Sequence, residues 1–82
     1  MNVVTLATEL MRCPSITPRT AGVFDVIEDF LAPLGFKVER ITFGEGSEAV
    51  ENLYARYGTS APNFCFAGHT DVVPVGDVSK WI

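Results

Sequence analysis

Apolar residues recur at helical spacing in the first part of the chain. They occupy positions i, i+3, i+4, i+7 and i+8, which is typical of an amphipathic helix that packs on another element. These residues are Val3, Leu6, Ala7, Leu10 and Met11. Pro14 ends the predicted helix, because the residue before a proline avoids helical conformation. Residues 14–18, Pro-Ser-Ile-Thr-Pro, are then expected to form a stiff extended connector.

A second helix is predicted after this connector. Thr20 is a candidate N-cap, since a hydroxyl can accept a hydrogen bond from the first turn. Gly35 supplies a left-handed end, and Pro33 is expected to distort the last turn. The apolar face consists of Val23, Ile27, Phe30, Leu31 and Leu34.

Three strands are predicted in the second half. Phe36 and Val38 alternate with polar residues, which indicates a half-buried strand, but the parity changes at Arg40 and predicts a bulge or the strand end there. Residues 53–57 form a second strand. Residues 63–68 are apolar without alternation, so this third strand is expected to be central and covered on both faces. The element order predicts an α/β fold, with two helices followed by three strands of a mixed sheet.

Composition indicates part of a larger domain. The chain has 82 residues, 48% of them apolar, and a mean hydropathy of +0.25. That is very apolar for a chain so short, since small domains bury only about 60% of their unfolded surface. Lys80-Trp81-Ile82 has no cap, turn or polar tail. We therefore expect a truncated unit.

Charge and hydropathy exclude several partners. The net charge of −4, with six basic residues spread along the chain, argues against nucleic acid, which requires a clustered basic patch. No apolar run approaches the ~18 residues of a membrane span, and the N-terminus lacks the pattern of a secretion signal. A cytoplasmic location is expected. Cys13 and Cys65 lie far apart among apolar residues, so they are expected to be buried free thiols.

The candidate chemistry lies at the end of the third predicted strand. His69 is the only histidine, and Asp71 follows two residues later. Side chains at i and i+2 of an extended chain project to the same side. Asp71 can therefore accept the second ring N–H of a metal-bound His69 imidazole and fix its tautomer. A purely structural role for this lone histidine is about as well supported as metal binding. One histidine also does not make a zinc site, because zinc takes three or four protein ligands.

Other polar residues have weaker functional interpretations. Ser15 and Thr17 could suggest a nucleophile, but no base accompanies them. Asp77 beside Gly76 is typical of a turn. Trp81 is expected to be a packing residue rather than a substrate contact. The acidic loop with Glu45, Glu48 and Glu51 is typical of a solvated surface.

Several motifs together resemble the dinuclear zinc aminoacylase and carboxypeptidase family. The most specific is Gly68-His69-Thr70-Asp71-Val72-Val73-Pro74, followed by Gly76-Asp77 and Trp81. Supporting segments agree in order and spacing: residues 12–18, Ala21-Gly22, Leu34-Gly35-Phe36, residues 52–56 and residues 64–67. Val75 replaces a proline that is usual in the family. The resemblance covers essentially the whole chain but only the opening part of such an enzyme.

The resemblance implies a zinc-dependent amidohydrolase. His69 would be a ligand of one of two zinc ions, with cobalt as an alternative in one position, and Asp71 a catalytic residue that orients the imidazole. The Gly76-Asp77-x-x-x-Trp81 continuation favours members that hydrolyse N-succinyl-LL-2,6-diaminopimelate to succinate and LL-diaminopimelate, for lysine and cell-wall synthesis. The partners implied are this small-molecule substrate and a second copy of the full-length protein.

The resemblance also implies what residues 1–82 lack. The remaining metal ligands, the general-base glutamate and the lid and dimerisation domain would all lie outside this N-terminal part of the catalytic domain, so the 82-residue chain alone should be inactive. Two alternatives stay open. One is another zinc amidohydrolase of the family, such as acetylornithine deacetylase, and the other is a non-catalytic interaction module.

Overall fold

The predicted helices and the first two predicted strands form, in the predicted order. A computed structural model describes residues 2–82 and contains α1 (Val3–Met11), α2 (Val23–Leu31), β1 (Lys37–Phe43) and β2 (Val50–Arg56). Short 3-10 turns occupy Ala32–Leu34, Gly46–Glu48 and Val78–Lys80. The architecture is α/β, as predicted. Within residues 2–82, neither helix is long and apolar enough to cross a membrane.

The helix ends differ in one respect from the prediction. α1 is capped by Asn2, whose side chain accepts a hydrogen bond from the Thr5 N–H at 2.8 Å. The predicted cap of α2, Thr20, is wrong: the N-cap is Gly22, which lies in the left-handed region at φ 87° and makes no side-chain bond. Gly35 ends the helical segment at φ 98° after the Pro33-containing 3-10 turn, as predicted.

β1 and β2 form an antiparallel hairpin in unbroken register, from Lys37 opposite Arg56 to Phe43 opposite Val50. The bulge or strand end predicted at Arg40 is therefore wrong. Arg40 lies on the face toward α2, where it bonds to Asp25 and Glu28. The apparent change of parity arises because a charged residue occupies the inner face while apolar residues occupy the outer one.

The third strand and the mixed sheet are not confirmed. In the part of the chain that the structure describes, residues 63–68 pair with no strand, and the sheet has two strands. Phe64 and Phe66 are 81% and 90% exposed and stack edge to face, with ring centroids 5.0 Å apart. A central strand needs neighbours on both edges and a layer on each face, and residues 2–82 do not provide them for this segment. Cys65 is accordingly an exposed free thiol rather than a buried one.

The apolar core is small. Among residues 2–82, the buried apolar side chains are those of Val23 and Phe24, at the start of α2. The radius of gyration is 15.0 Å, whereas a compact chain of this length would have about 12 Å. The helices and the hairpin therefore leave most of their apolar surface uncovered by one another.

Candidate metal-ligating site

Residues 15–17 of the connector lie beside the His69 segment, although the connector is not extended throughout as predicted, since Thr17 and Pro18 form a turn. Ile16 and Val72 form a parallel β-bridge. The Val72 N–H donates to the Ser15 carbonyl at 3.0 Å, and the Thr17 N–H donates to the Val72 carbonyl at 3.3 Å. The prolines at both ends of residues 14–18 favour extended backbone, so the connector can pair with residues 69–73 as a strand would.

Ser15 stabilises this pairing through a hydrogen bond from its side chain to the His69 segment. Its side chain is nearly inaccessible, with the residue 2% exposed, and its hydroxyl donates to the Thr70 carbonyl at 2.8 Å. A buried hydroxyl must find a partner to offset its lost hydration. Ser15 thus fixes the backbone between His69 and Asp71, and nothing in its contacts suggests a nucleophile.

His69 and Asp71 adopt the side-by-side arrangement predicted from their spacing. Nδ1 of His69 lies 2.9 Å from Oδ1 of Asp71 and 3.1 Å from the Asp71 carbonyl oxygen. Both oxygens are acceptors, so Nδ1 must carry the proton. In the neutral ring Nε2 then has a free lone pair, and the side chain is 83% exposed. This is the tautomer that a metal ligand requires when a carboxylate holds its other nitrogen.

Asp71 is held from its other side by the connector. The Thr17 hydroxyl donates to Oδ2 of Asp71, while Oδ1 accepts from His69. The Thr17 hydrogen bond is the main cause that lowers the pKa of Asp71; desolvation opposes it, and the bond to His69 and the charge of His69 lower the pKa further. Asp71 therefore stays an anion at neutral pH and accepts hydrogen bonds on both oxygens.

A cleft of about 410 Å³ opens beside this pair. Its walls come from the connector end, α2, β2 and the His69 segment, and its lining includes Arg19, Thr20, Phe24, Asn52 and His69. Pockets for small molecules are commonly about 300–1,000 Å³, with a mostly apolar wall and a few polar groups. The cleft has a volume in this range and a mostly apolar wall, and His69 is part of its lining.

In the part of the chain that the structure describes, one side chain has the donor chemistry of a metal ligand, and no complete metal site is formed. Within residues 2–82, no group of three or more histidine, cysteine or acidic side chains is placed to hold a metal ion. The donor chemistry fits zinc at one position, because a neutral His69 ring that donates from Nδ1 to a carboxylate has Nε2 left as a nitrogen ligand. Further ligands would have to come from residues outside 2–82.

The other polar candidates are structural in their contacts. Asp77 caps the turn Val78–Lys80 by accepting from the Ser79 N–H at 3.0 Å and the Ser79 hydroxyl at 2.6 Å. The indole N–H of Trp81 donates to the Val75 carbonyl at 3.0 Å. The interpretation of Asp77 as a turn residue is confirmed, whereas the packing interpretation of Trp81 is not, because Trp81 is 65% exposed.

Sequence reasoning missed the part that Ser15 and Thr17 play around His69. Their hydroxyls act on Thr70 and Asp71, which lie 55 and 54 residues further along the chain. The available signal was a pair of hydroxyl residues at i and i+2 in a segment bounded by prolines. In extended backbone such residues present both hydroxyls to the same side.

Comparison with known proteins finds that the chain is similar to proteins named as desuccinylases. No family model matches the chain. Curated proteins named succinyl-diaminopimelate desuccinylase are similar to it over nearly its whole length, which confirms the predicted resemblance.

Three of these relatives illustrate the similarity. The Parvibaculum lavamentivorans protein is 60% identical over 77 residues, or 93% of this chain. The Phenylobacterium zucineum protein is 58% identical over 81 residues, or 99% of the chain, and the Rhodospirillum centenum protein 56% identical over 79 residues, or 95%. The matched region is 20% of each relative. The chain thus spans about a fifth of the length of the curated relatives that it matches.

Proposed function

We propose that the chain supplies a histidine zinc ligand and its orienting carboxylate to an enzyme that hydrolyses N-succinyl-LL-2,6-diaminopimelate to succinate and LL-diaminopimelate. The observation that carries the metal-binding part is the contact between Nδ1 of His69 and Oδ1 of Asp71 at 2.9 Å. The substrate is proposed from the desuccinylase name shared by relatives that are 51–60% identical to the chain.

The chain's own residues have distinct parts in this proposal. His69 would hold zinc through Nε2, and Asp71 would keep the proton on Nδ1 and raise the basicity of the imidazole. A zinc ion bound there would supply a Lewis acid and lower the pKa of a water molecule. The cleft beside His69 would receive part of the substrate, with Arg19, Thr20 and Asn52 offering polar contacts.

We further propose that residues 1–82 form the N-terminal part of a catalytic domain of zinc-peptidase type. The uncovered apolar residues 63–68 support this, because the strand pattern of this segment needs neighbours that residues 2–82 lack. The other ligands, the general base and the lid and dimerisation domain would lie in the rest of a full-length, cytoplasmic homodimer. The 82-residue chain alone would be inactive.

The test uses the full-length protein that contains this chain. Purified with zinc, it should release succinate from N-succinyl-LL-2,6-diaminopimelate, lose activity with a chelator and regain it with zinc or cobalt. His69→Gln should abolish zinc-dependent turnover, whereas Gln in place of the exposed Glu39 on the outer hairpin face should not.

Hydrolysis assays with two substrates, together with the oligomeric state of the 82-residue chain, separate the alternatives. Hydrolysis of N-acetylornithine without hydrolysis of the succinylated substrate would replace this proposal with the deacetylase. A stable metal-independent oligomer of the 82-residue chain, together with inactivity of the full-length protein on both substrates, would favour an interaction module.

A further inference from the structure

We propose that Thr17 is a positioning residue for the metal ligand: its hydroxyl fixes the rotation of the Asp71 carboxylate and thereby selects the His69 tautomer whose Nε2 is free. The use of that nitrogen toward zinc rests on the proposed function. The positioning itself rests only on contacts between residues 15–17 and 69–72.

The two oxygens of Asp71 are held by different partners. Oδ1 accepts from Nδ1 of His69 at 2.9 Å, and Oδ2 accepts from the Thr17 hydroxyl. Rotation of an aspartate carboxyl about its last torsion has broad minima, so one hydrogen bond alone leaves the plane of the group poorly defined. A second bond to the opposite oxygen defines it.

Thr17 is itself well placed for this purpose. Its N–H donates to the Val72 carbonyl at 3.3 Å, and the preceding residue, Ile16, forms the β-bridge to Val72. The β-branched side chain of threonine has restricted χ1 rotation. The hydroxyl is therefore presented to Asp71 by fixed backbone on both sides of the contact.

His69 depends on this support because little else contacts it. Its side chain is 83% exposed, and its hydrogen bonds in the structure go to the carboxylate and carbonyl of Asp71. An imidazole with no fixed acceptor can carry its proton on either nitrogen. If Asp71 rotates or turns toward solvent, the Nδ1–H form keeps only its bond to the Asp71 carbonyl, so its advantage shrinks and part of the population protonates Nε2 instead.

The decisive measurement is the tautomer of His69 in the intact, metal-free protein. Histidine is labelled with ¹⁵N, and the His69 signals are assigned by their loss in His69→Gln. At a pH where the ring is neutral, the wild type should show a protonated Nδ1 and an unprotonated Nε2. Thr17→Val, which keeps the shape and removes the hydroxyl, should give a mixture, and Thr17→Ser should restore the wild-type pattern. Thr59→Val, at an exposed site in the turn after β2, is the matched control.

Zinc affinity provides a second readout. Competition with a chromophoric chelator should show weaker binding for Thr17→Val, by up to about tenfold, which is the lower end of the loss when the direct partner of a ligand is removed, because Thr17 acts on His69 through Asp71. Thr17→Ser should bind nearly as the wild type. A wild type that binds no zinc would overturn the proposed function and leave the tautomer result intact. An unchanged tautomer and unchanged affinity in a folded Thr17→Val would overturn the positioning role and leave the function intact.

Folding of the variant is checked by hydrogen exchange over residues 69–73, where the Val72 amide is bonded to Ser15. If Thr17→Val loses that protection, the variant is misfolded there, and the positioning role is tested instead by the exchange of the Thr17 hydroxyl proton in the wild-type protein. A slowly exchanging Thr17 hydroxyl proton in its NMR spectrum supports the contact with Asp71. A hydroxyl proton that exchanges as fast as that of the exposed Thr59 contradicts it.

Discussion

Arg40 on β1 donates a hydrogen bond from Nη2 to Oδ1 of Asp25 on α2 across 2.8 Å. Its Nε donates to Glu28, one turn further along the helix, at 3.2 Å. The bond to Asp25 is the main cause that raises the pKa of Arg40, so the guanidinium is charged at every accessible pH. These contacts join the hairpin to the helix in a chain with few buried apolar side chains.

Removing this link should loosen the hairpin from α2. Arg40→Met is expected to lower stability slightly, since partly exposed ion pairs are screened by solvent. The loss should shrink further in high salt. Thermal unfolding at low and high salt measures it, with Lys37→Met on the opposite face of β1 as control. Equal losses for the two variants at all salt concentrations would contradict a specific link.

Ser15→Ala should destabilise the connector and the His69 segment together. The buried hydroxyl bonds the Thr70 carbonyl at 2.8 Å, and a lost hydrogen bond of this kind costs about 0.5–1.5 kcal/mol. Chemical unfolding should show that loss, and hydrogen exchange should show faster exchange at Val72. Ser47→Ala, at an exposed site before β2, should change stability by less than about 0.5 kcal/mol. Equal effects of the two substitutions would refute the anchoring role.

Local patterns were sufficient for the two helices, the first two strands and one contact of the site. Helical spacing located α1 and α2, and the i, i+2 rule placed His69 beside Asp71. Both rest on residues close in sequence, whose relative positions follow from backbone geometry alone. The metal-binding role of the pair remains a prediction.

Long-range contacts account for what the sequence did not predict. The hydroxyl pair of Ser15 and Thr17 indicates a polar contact, but it does not identify a partner 54 residues away. The polar inner residue Arg40 looked like a change of register because its partners, Asp25 and Glu28, lie on a separate helix. Residues 63–68 carry the apolar pattern of a central strand, but a strand also needs neighbours, which the pattern of one segment cannot supply.

Asp77 should titrate below the usual range of an aspartate. The hydroxyl of Ser79 is the main cause that lowers its pKa, and the Ser79 N–H contributes as well. A carboxyl whose pKa is lowered by folding stabilises the fold above its unfolded pKa, and this contribution is lost as the pH falls through the folded pKa. The turn Val78–Lys80 should therefore loosen in acid.

Carboxyl ¹³C titration by NMR measures this shift at Asp77. Ser79→Ala should move the midpoint upward part of the way, because the backbone N–H remains, whereas Ser79→Thr should leave it nearly unchanged. A midpoint in Ser79→Ala that equals the wild-type value would exclude the hydroxyl as the main cause.

Gly35→Ala should cost more than the same change at another left-handed glycine. Gly35 has φ 98°, and an added Cβ would lie 3.1 Å from the Tyr57 ring, which packs against Phe36 with centroids 5.5 Å apart. A left-handed alanine costs about 1–2 kcal/mol by itself. Gly58 has φ 84° with open space around it, so Gly58→Ala reports this backbone cost alone. Chemical unfolding should show the larger loss for Gly35→Ala, and a Tyr57→Leu background should reduce the excess, because the contacting ring edge is then absent. An excess that persists in that background would place its cause in the backbone rather than in the aromatic contact.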